Sequence, residues 1–225
     1  GGLAFVPIGC AVALLAAGPS AELMALCGAT LGCLTVGMVD DALIVTRGKN
    51  DGLHPKLKLG AQLAVAAAFC AFCYGPGGVG APTAIAANLS ALGHGVARLE
   101  LGAVLCAPFA MFVFAAESNG ANLTDGLDGL AAGVAAAALA AMAAASLAAG
   151  CAPAATFCAA LAGASVGFLA HNAHKASMFM GDTGSLALGG ALASVGVLTA
   201  QFVPLAIATA VFAAEAASVI AQVAY

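Results

Sequence analysis

The chain has 225 residues, of which 63% are hydrophobic and only 7% charged, and its mean hydropathy is +1.08. A water-facing globular domain carries about a quarter charged residues, so most of this surface is made for lipid. The net charge of −4 comes with no basic tract and no basic–aromatic interleaving, which leaves a nucleic-acid interface without footing.

About twenty helical residues cross the hydrocarbon core of a bilayer. Stretches of that length predict an all-α, polytopic transmembrane helix bundle of about eight spans, near 3–17, 20–39, 56–74, 99–117, 124–149, 153–171, 183–199 and 202–225. No composition shift divides it, so 1–225 reads as a single integral membrane domain. A first residue that is not Met and a last one, Tyr225, inside an apolar stretch predict a fragment incomplete at both ends. Cys10, Cys27, Cys33, Cys70, Cys73, Cys106, Cys151 and Cys158 fall nearly all within apolar runs and read as small packing side chains, and the lone Cys70-x-x-Cys73 lacks a second pair for a metal.

The second span ends on Asp40-Asp41. Paired carboxylates at a helix C-terminus oppose its partial negative charge, so they need a cation or a lysine beside them, or else form a solvated interfacial pair. The connection 40–55 follows, and Lys56 and Lys58 open the third span as interfacial anchors or charge clamps. Residues 75–98, rich in Gly and Pro, read as an irregular loop with a short partly buried segment. After the fourth span comes Asn119-Gly-Ala-Asn122-Leu-Thr124-Asp125-Gly-Leu-Asp128-Gly. Asn122 or Thr124 can cap the next helix, with Asp125 and Asp128 on one face of its first turn. His171 and His174 flank the 171–182 loop and read as non-ligands. Phe179-Met180-Gly181-Asp182-Thr183-Gly184-Ser185 then opens a span, with Asp182 as an N-cap or a magnesium ligand. Glu215 falls inside the last span, where an ionisable group needs a partner.

Successive crossings put 40–55, 118–125 and 171–182 on one side. That side holds Arg47, Lys49, Lys56, Lys58 and Lys175, whereas the other holds Arg98, so the first is the cytoplasmic or equivalent face. Asp40, Asp41, Asp51, Asp125, Asp128 and Asp182 gather there too. An ion-coupled transporter would place its acids nearer mid-membrane, where only Glu215 lies.

The ordered set of Asp40-Asp41 with Gly52-Leu53-x-x-Lys56-x-Lys58, Asn122-Leu-Thr-Asp-Gly-Leu-Asp-Gly-Leu-Ala131, Phe179-Met-Gly-Asp-Thr-Gly-Ser and Glu215-x-x-Ser218-x-x-x-Gln222 resembles the polyprenyl-phosphate N-acetylhexosamine-1-phosphate transferases, of the glycosyltransferase family 4 type. Within that family it is most similar to the phospho-N-acetylmuramoyl-pentapeptide branch. The resemblance runs from Gly1 to Tyr225 and implies a fold of about ten spans in the full protein, this chain holding the second to the ninth. It implies a magnesium-dependent transfer of phospho-N-acetylmuramoyl-pentapeptide from its UDP derivative to a polyprenyl phosphate of undecaprenyl type, yielding UMP and the first lipid-linked peptidoglycan precursor. The sister activity, with UDP-N-acetylglucosamine as donor, is the alternative.

By position, the resemblance implies Asp182 and Asn122 as metal contacts and Asp40, Asp41 and Asp125 as catalytic acids. Asp40 would deprotonate the lipid phosphate. Lys56, Asp128, Phe179, Gly181 and Gln222 would bind the donor, with Phe179 stacked on uracil. It also implies homodimerisation. Asn172-x-x-Lys175 and the Glu117-Ser-Asn-Gly run are similar to plastid members, implying a chloroplast membrane, with a bacterial plasma membrane as the alternative and the site on the stromal or cytoplasmic face. Ile44 stands where bacterial members often have lysine, and the family's His-rich loop would follow the last span, so the isolated fragment is expected to be inactive.

Overall fold

The computed structural model describes residues 1–48, 52–88 and 96–225. Nine helices and one hairpin occur among them: α1 (Gly2–Ala17), α2 (Ala21–Arg47), α3 (Pro55–Tyr74), β1 (Ala84–Asn88), β2 (Val96–Glu100), α4 (Gly102–Thr124), α5 (Leu130–Ala148), α6 (Ala152–Asn172), α7 (Gly181–Thr199), α8 (Phe202–Ala208) and α9 (Ala210–Ala224). The all-α bundle expected from composition is what forms, but the count of spans is lower. Five helices, α2 to α6, are long and apolar enough to cross a bilayer, and α8 with α9 makes a sixth if the pair is taken as one broken span. The other expected crossings differ for separate reasons. α1 has only 16 residues, and α8 and α9 meet at a 66° bend.

α7, with 19 residues, differs in its surroundings, being enclosed by protein along its length. Every residue from Thr183 to Ala200 is buried. It is the axis of the bundle, packed against α2 and α4 with α1 and α5 around it. In lipid, helices associate through close van der Waals packing, which favours small residues. α7 carries five glycines. A Cβ at Gly190 would lie 2.5 Å from Cys33 Sγ of α2, and one at Gly189 would lie 2.5 Å from Ser118 Cα of α4. Ser194 and Thr199 turn back on their own backbone, Ser194 to Ala191 O at 2.8 Å and Thr199 to Val195 O at 2.7 Å, so they need nothing from lipid.

Three local expectations are corrected. Asp40-Asp41 marks the end of a span but not of a helix. α2 continues to Arg47 and is closed by Gly48 in the left-handed region at φ 61°. At 1.5 Å per residue, α2 is about 40 Å long, more than the hydrocarbon core, so its last turns stand clear of it. Asn122 and Thr124 belong to the last turn of α4, whereas α5 begins only after Gly129 at φ 75°. Residues 75–98 are not wholly irregular: β1 and β2 pair antiparallel, with Ala84 opposite Glu100 and Asn88 opposite Val96. The eight cysteines are free thiols, all buried but the half-buried Cys151.

α2 comes close to α7 at Gly37, where an added Cβ would run into the Asp182–Thr183 peptide. Gly37→Ala is therefore expected to lower stability by roughly 1–3 kcal/mol. Gly60→Ala, in open space on α3, should be neutral or mildly stabilising. Thermal unfolding in detergent checks the pair.

Candidate functional site

The C-terminal ends of α2, α4 and α6 and the N-terminal ends of α3, α5 and α7 meet at one end of the bundle. The chain thereby brings four segments, far apart in sequence, onto one small volume. Asp40, Asp41 and Asp182 offer carboxylate oxygens that lie within 4.8 Å of one another.

Each carboxylate is held differently. Asp40 is buried, 4% exposed, and accepts a hydrogen bond from Leu53 N at 2.6 Å. Asp41, one residue on, points to the start of α7. Its Oδ1 accepts from Asp182 N at 3.1 Å, and its Oδ2 accepts from Thr183 N at 2.9 Å and Thr183 Oγ1 at 2.6 Å. Met180, at the cap position of α7, makes no side-chain cap bond. Asp41 thus caps α7 from another helix, and the positive end of the α7 dipole faces its charge. Asp182 lies inside the first turn rather than at the cap, and its own carboxylate is free to face the cluster. Gly181 takes φ 70°, and a Cβ there would lie 2.6 Å from Asp41 Oδ2, so any other residue would be strained and would crowd the cap.

Asp182 is gripped from two sides. Lys58 Nζ donates to its Oδ2 and lies 3.6 Å from Asp40 Oδ2. Asn122 Nδ2 donates to its Oδ1 at 2.7 Å and to Ser185 Oγ at 3.0 Å. The lysine that reaches the carboxylates is Lys58, whereas Lys56 is exposed. Two residues turn a helix by about 200°, so only one of them can face the cluster. The sequence motif holds both, and the pattern alone does not say which turns inward.

Asp125, Gly126, Leu127, Asp128, Asn172, Phe179, Gly181 and Asp182 line a cavity of about 260 Å³ beside the cluster. Asp125 caps α4 from the turn, and burial, followed by the neighbouring Asp182 and Asp41 carboxylates, pushes its carboxyl up to about 7. Asp128 Oδ2 accepts from Ala176 N at 3.0 Å and lies 3.7 Å from His174 Nδ1. Phe179 is 74% exposed, its ring at the rim. Asn172, which the sequence reading left without a role, ties the two walls together. Its Oδ1 accepts from Gly129 N at 3.2 Å and its Nδ2 donates to Met178 O at 3.0 Å. An asparagine between Ala170-His171 and Ala173-His174, 43 positions from the glycine it holds, gives no signal of that kind in sequence. Gln222 lies apart from the cavity lining, on α9, and donates to Ser218 Oγ on its own helix. Glu215, also on α9, is half-buried. Of the acids on this face, Asp51 lies outside the described residues, as does Lys49.

The donor set fits a hard divalent cation. Magnesium takes oxygen ligands from one or two carboxylates and leaves the rest to water and substrate phosphates. Clustered carboxylates this close repel unless a positive charge lies among them, and Lys58 supplies one such charge. From pH about 4, the ordinary Asp value, to about 7, the folded protein keeps a proton on Asp125 that the unfolded chain has released. Stability should therefore fall as pH rises through that window. Thermal unfolding at several pH values checks this, and a divalent cation at the cluster should flatten the fall.

Residues 23–200 match the family described as Glycosyl transferase family 4. Over its whole length the chain is 45% identical to a phospho-N-acetylmuramoyl-pentapeptide-transferase of Trichormus variabilis, covering 59% of that protein. It is 45% identical to one of Nostoc punctiforme, covering 60%, and 43% identical to one of a Synechocystis species, covering 59%. The chain thus spans about 59% of the length of these relatives.

Proposed function

The chain belongs to glycosyl transferase family 4, and on that footing we propose that its protein transfers phospho-N-acetylmuramoyl-pentapeptide from the UDP derivative to a polyprenyl phosphate, releasing UMP. The observation that carries the proposal is the convergence of Asp40, Asp41, Asp182, Asn122 and Lys58 next to a cavity walled by Asp125, Asp128 and Phe179. The names of the relatives, each a phospho-N-acetylmuramoyl-pentapeptide-transferase, support the choice of donor.

Two anions must meet in this reaction, a phosphate monoester and a pyrophosphate. Positioning and charge neutralisation are the main tasks of a phosphoryl-transfer site. Asp182 would hold magnesium, with Asp40 beside it and Asn122 fixing the orientation of Asp182. When bound, the cation neutralises the pyrophosphate and polarises the bond to be broken. Lys58, shared between Asp40 and Asp182, is the cation that can turn toward a phosphate, and it takes the part assigned by resemblance to Lys56.

A phosphate monoester is already largely dianionic near neutral pH, its second pKa being about 6. Asp40, buried and bonded to Leu53 N, therefore serves to steer Lys58 and the cation rather than to remove a proton. Asp41 acts through α7: it sets the position of Asp182 by holding that helix's first amides. Asp125 faces the reacting charge from the cavity wall. Phe179 offers an exposed ring for the uracil, and Asp128 and Gly181 edge the same space. Gln222 would reach the donor only from α9.

The acidic end of the bundle also carries Arg47, Lys58 and Lys175, and Arg98 lies in the hairpin. The positive-inside rule makes that end cytoplasmic or stromal. The cyanobacterial source of the relatives supports a plastid membrane, since the chain keeps the plastid-like Glu117-Ser-Asn-Gly run.

Asp182→Asn in the full-length protein, assayed in membranes for UMP release with UDP-N-acetylmuramoyl-pentapeptide and magnesium, should lose roughly 100-fold or more of the activity. UDP-N-acetylglucosamine, run in parallel, should give no release from wild type. Undiminished activity in the variant, or release only from the second donor, would sink the proposal.

A further inference from the structure

A buried carboxylate away from the cluster has a proton-counting problem. Glu117 sits on α4, with Oε1 2.8 Å from Thr209 Oγ1 and Oε2 buried with no partner. Thr209 is 2% exposed and occupies the break between α8 and α9, where the pair bends by 66°. Its Oγ1 is also 2.8 Å from Leu205 O in α8. A hydroxyl has one proton to give. Were Glu117 ionised, that one proton would be the only hydrogen bond its carboxylate receives, and Oε2 would share the charge with no donor inside a bundle that lipid surrounds. Among the described residues no basic side chain pairs with Glu117, and an unpaired buried carboxylate is far costlier than the neutral acid.

A protonated Glu117 removes the conflict. It donates to Thr209 Oγ1, and Thr209 donates to the Leu205 carbonyl. That carbonyl also accepts from Thr209 N at 2.9 Å, using its second lone pair. The joint is tight as well: a Cβ added at Gly120 of α4 would lie 3.1 Å from Phe212 Cβ of α9.

We propose that Glu117 is held as a neutral carboxylic acid and that its hydrogen bond to Thr209 clasps the α8–α9 break to α4. It is a positioning residue. Five residues further along the same helix, Asn122 meets Asp182, so the clasp fixes α9 against the helix whose end enters the site. The protonation state does not depend on which reaction the protein performs.

Gln reproduces the donor of a neutral acid but not the charge of a carboxylate. Difference infrared spectra of full-length wild type and Glu117→Gln in lipid at neutral pH should show a protonated-carboxyl C=O band lost in the variant. Loss of a carboxylate band instead would overturn the inference. UMP release by Glu117→Gln should stay within about twofold of wild type, whereas Glu117→Leu and Thr209→Val should fall about tenfold, the worth of one buried hydrogen bond. A Gln variant as impaired as the Leu variant would also overturn it. If the Leu variant fails to fold, the spectra and the Gln variant decide the matter by themselves.

Discussion

Negative charge at the lipid–water boundary is the constraint on which the rest of this molecule depends. Three carboxylates lie within 4.8 Å of one another, and such a group holds together only if it is neutralised or bonded. Each is treated differently. Asp41 spends its oxygens on the amides at the head of α7, Asp40 is bonded to Leu53 N, and Asp182 shares Lys58 with Asp40. The fold therefore supplies structural uses for these charges, and the capacity left over, centred on Asp182, is what can meet a cation and a phosphate.

That arrangement rests on α7. A helix buried from Thr183 to Thr199 has neighbours on every side, and its glycines let α2 and α4 come close enough for side chains on all three to share one volume. The α2 contact at Gly37 sits one turn before Asp40 and Asp41, so the same close approach that builds the bundle aims both acids at the first turn of α7. Packing and site geometry are here one fact, and a change that loosens the helix pair moves the carboxylates.

Much of this was legible in sequence, for physical reasons. Composition alone demands lipid as solvent, and the segregation of acids and lysines by loop parity puts Asp40, Asp125 and Asp182 at one end without any coordinates. Orientation was not legible. The choice between Lys56 and Lys58 depends on the rotational setting of α3, which a two-residue motif leaves open. Asp182 reads as a cap because acids before apolar runs usually are caps. The true cap is Asp41, more than a hundred residues away, and no local pattern reports a bond across that separation. Length and composition mark α7 as a crossing, but neither reports that protein encloses it along its whole length. Glu117 gives only a weak signal in sequence, a lone acid in an apolar stretch, and its partner Thr209 sits at a break that the apolar run 202–225 does not announce.

The central claim is that Asp40 and Asp182, 142 positions apart in the chain, share one cation-centred pocket. Manganese binding to the full-length protein in detergent, followed by electron paramagnetic resonance, tests it most directly. The account predicts one tight site in wild type and in Asp128→Asn, weakened severely by Asp182→Asn and by Asp40→Asn alike. Tight binding that survives both of those substitutions would contradict it.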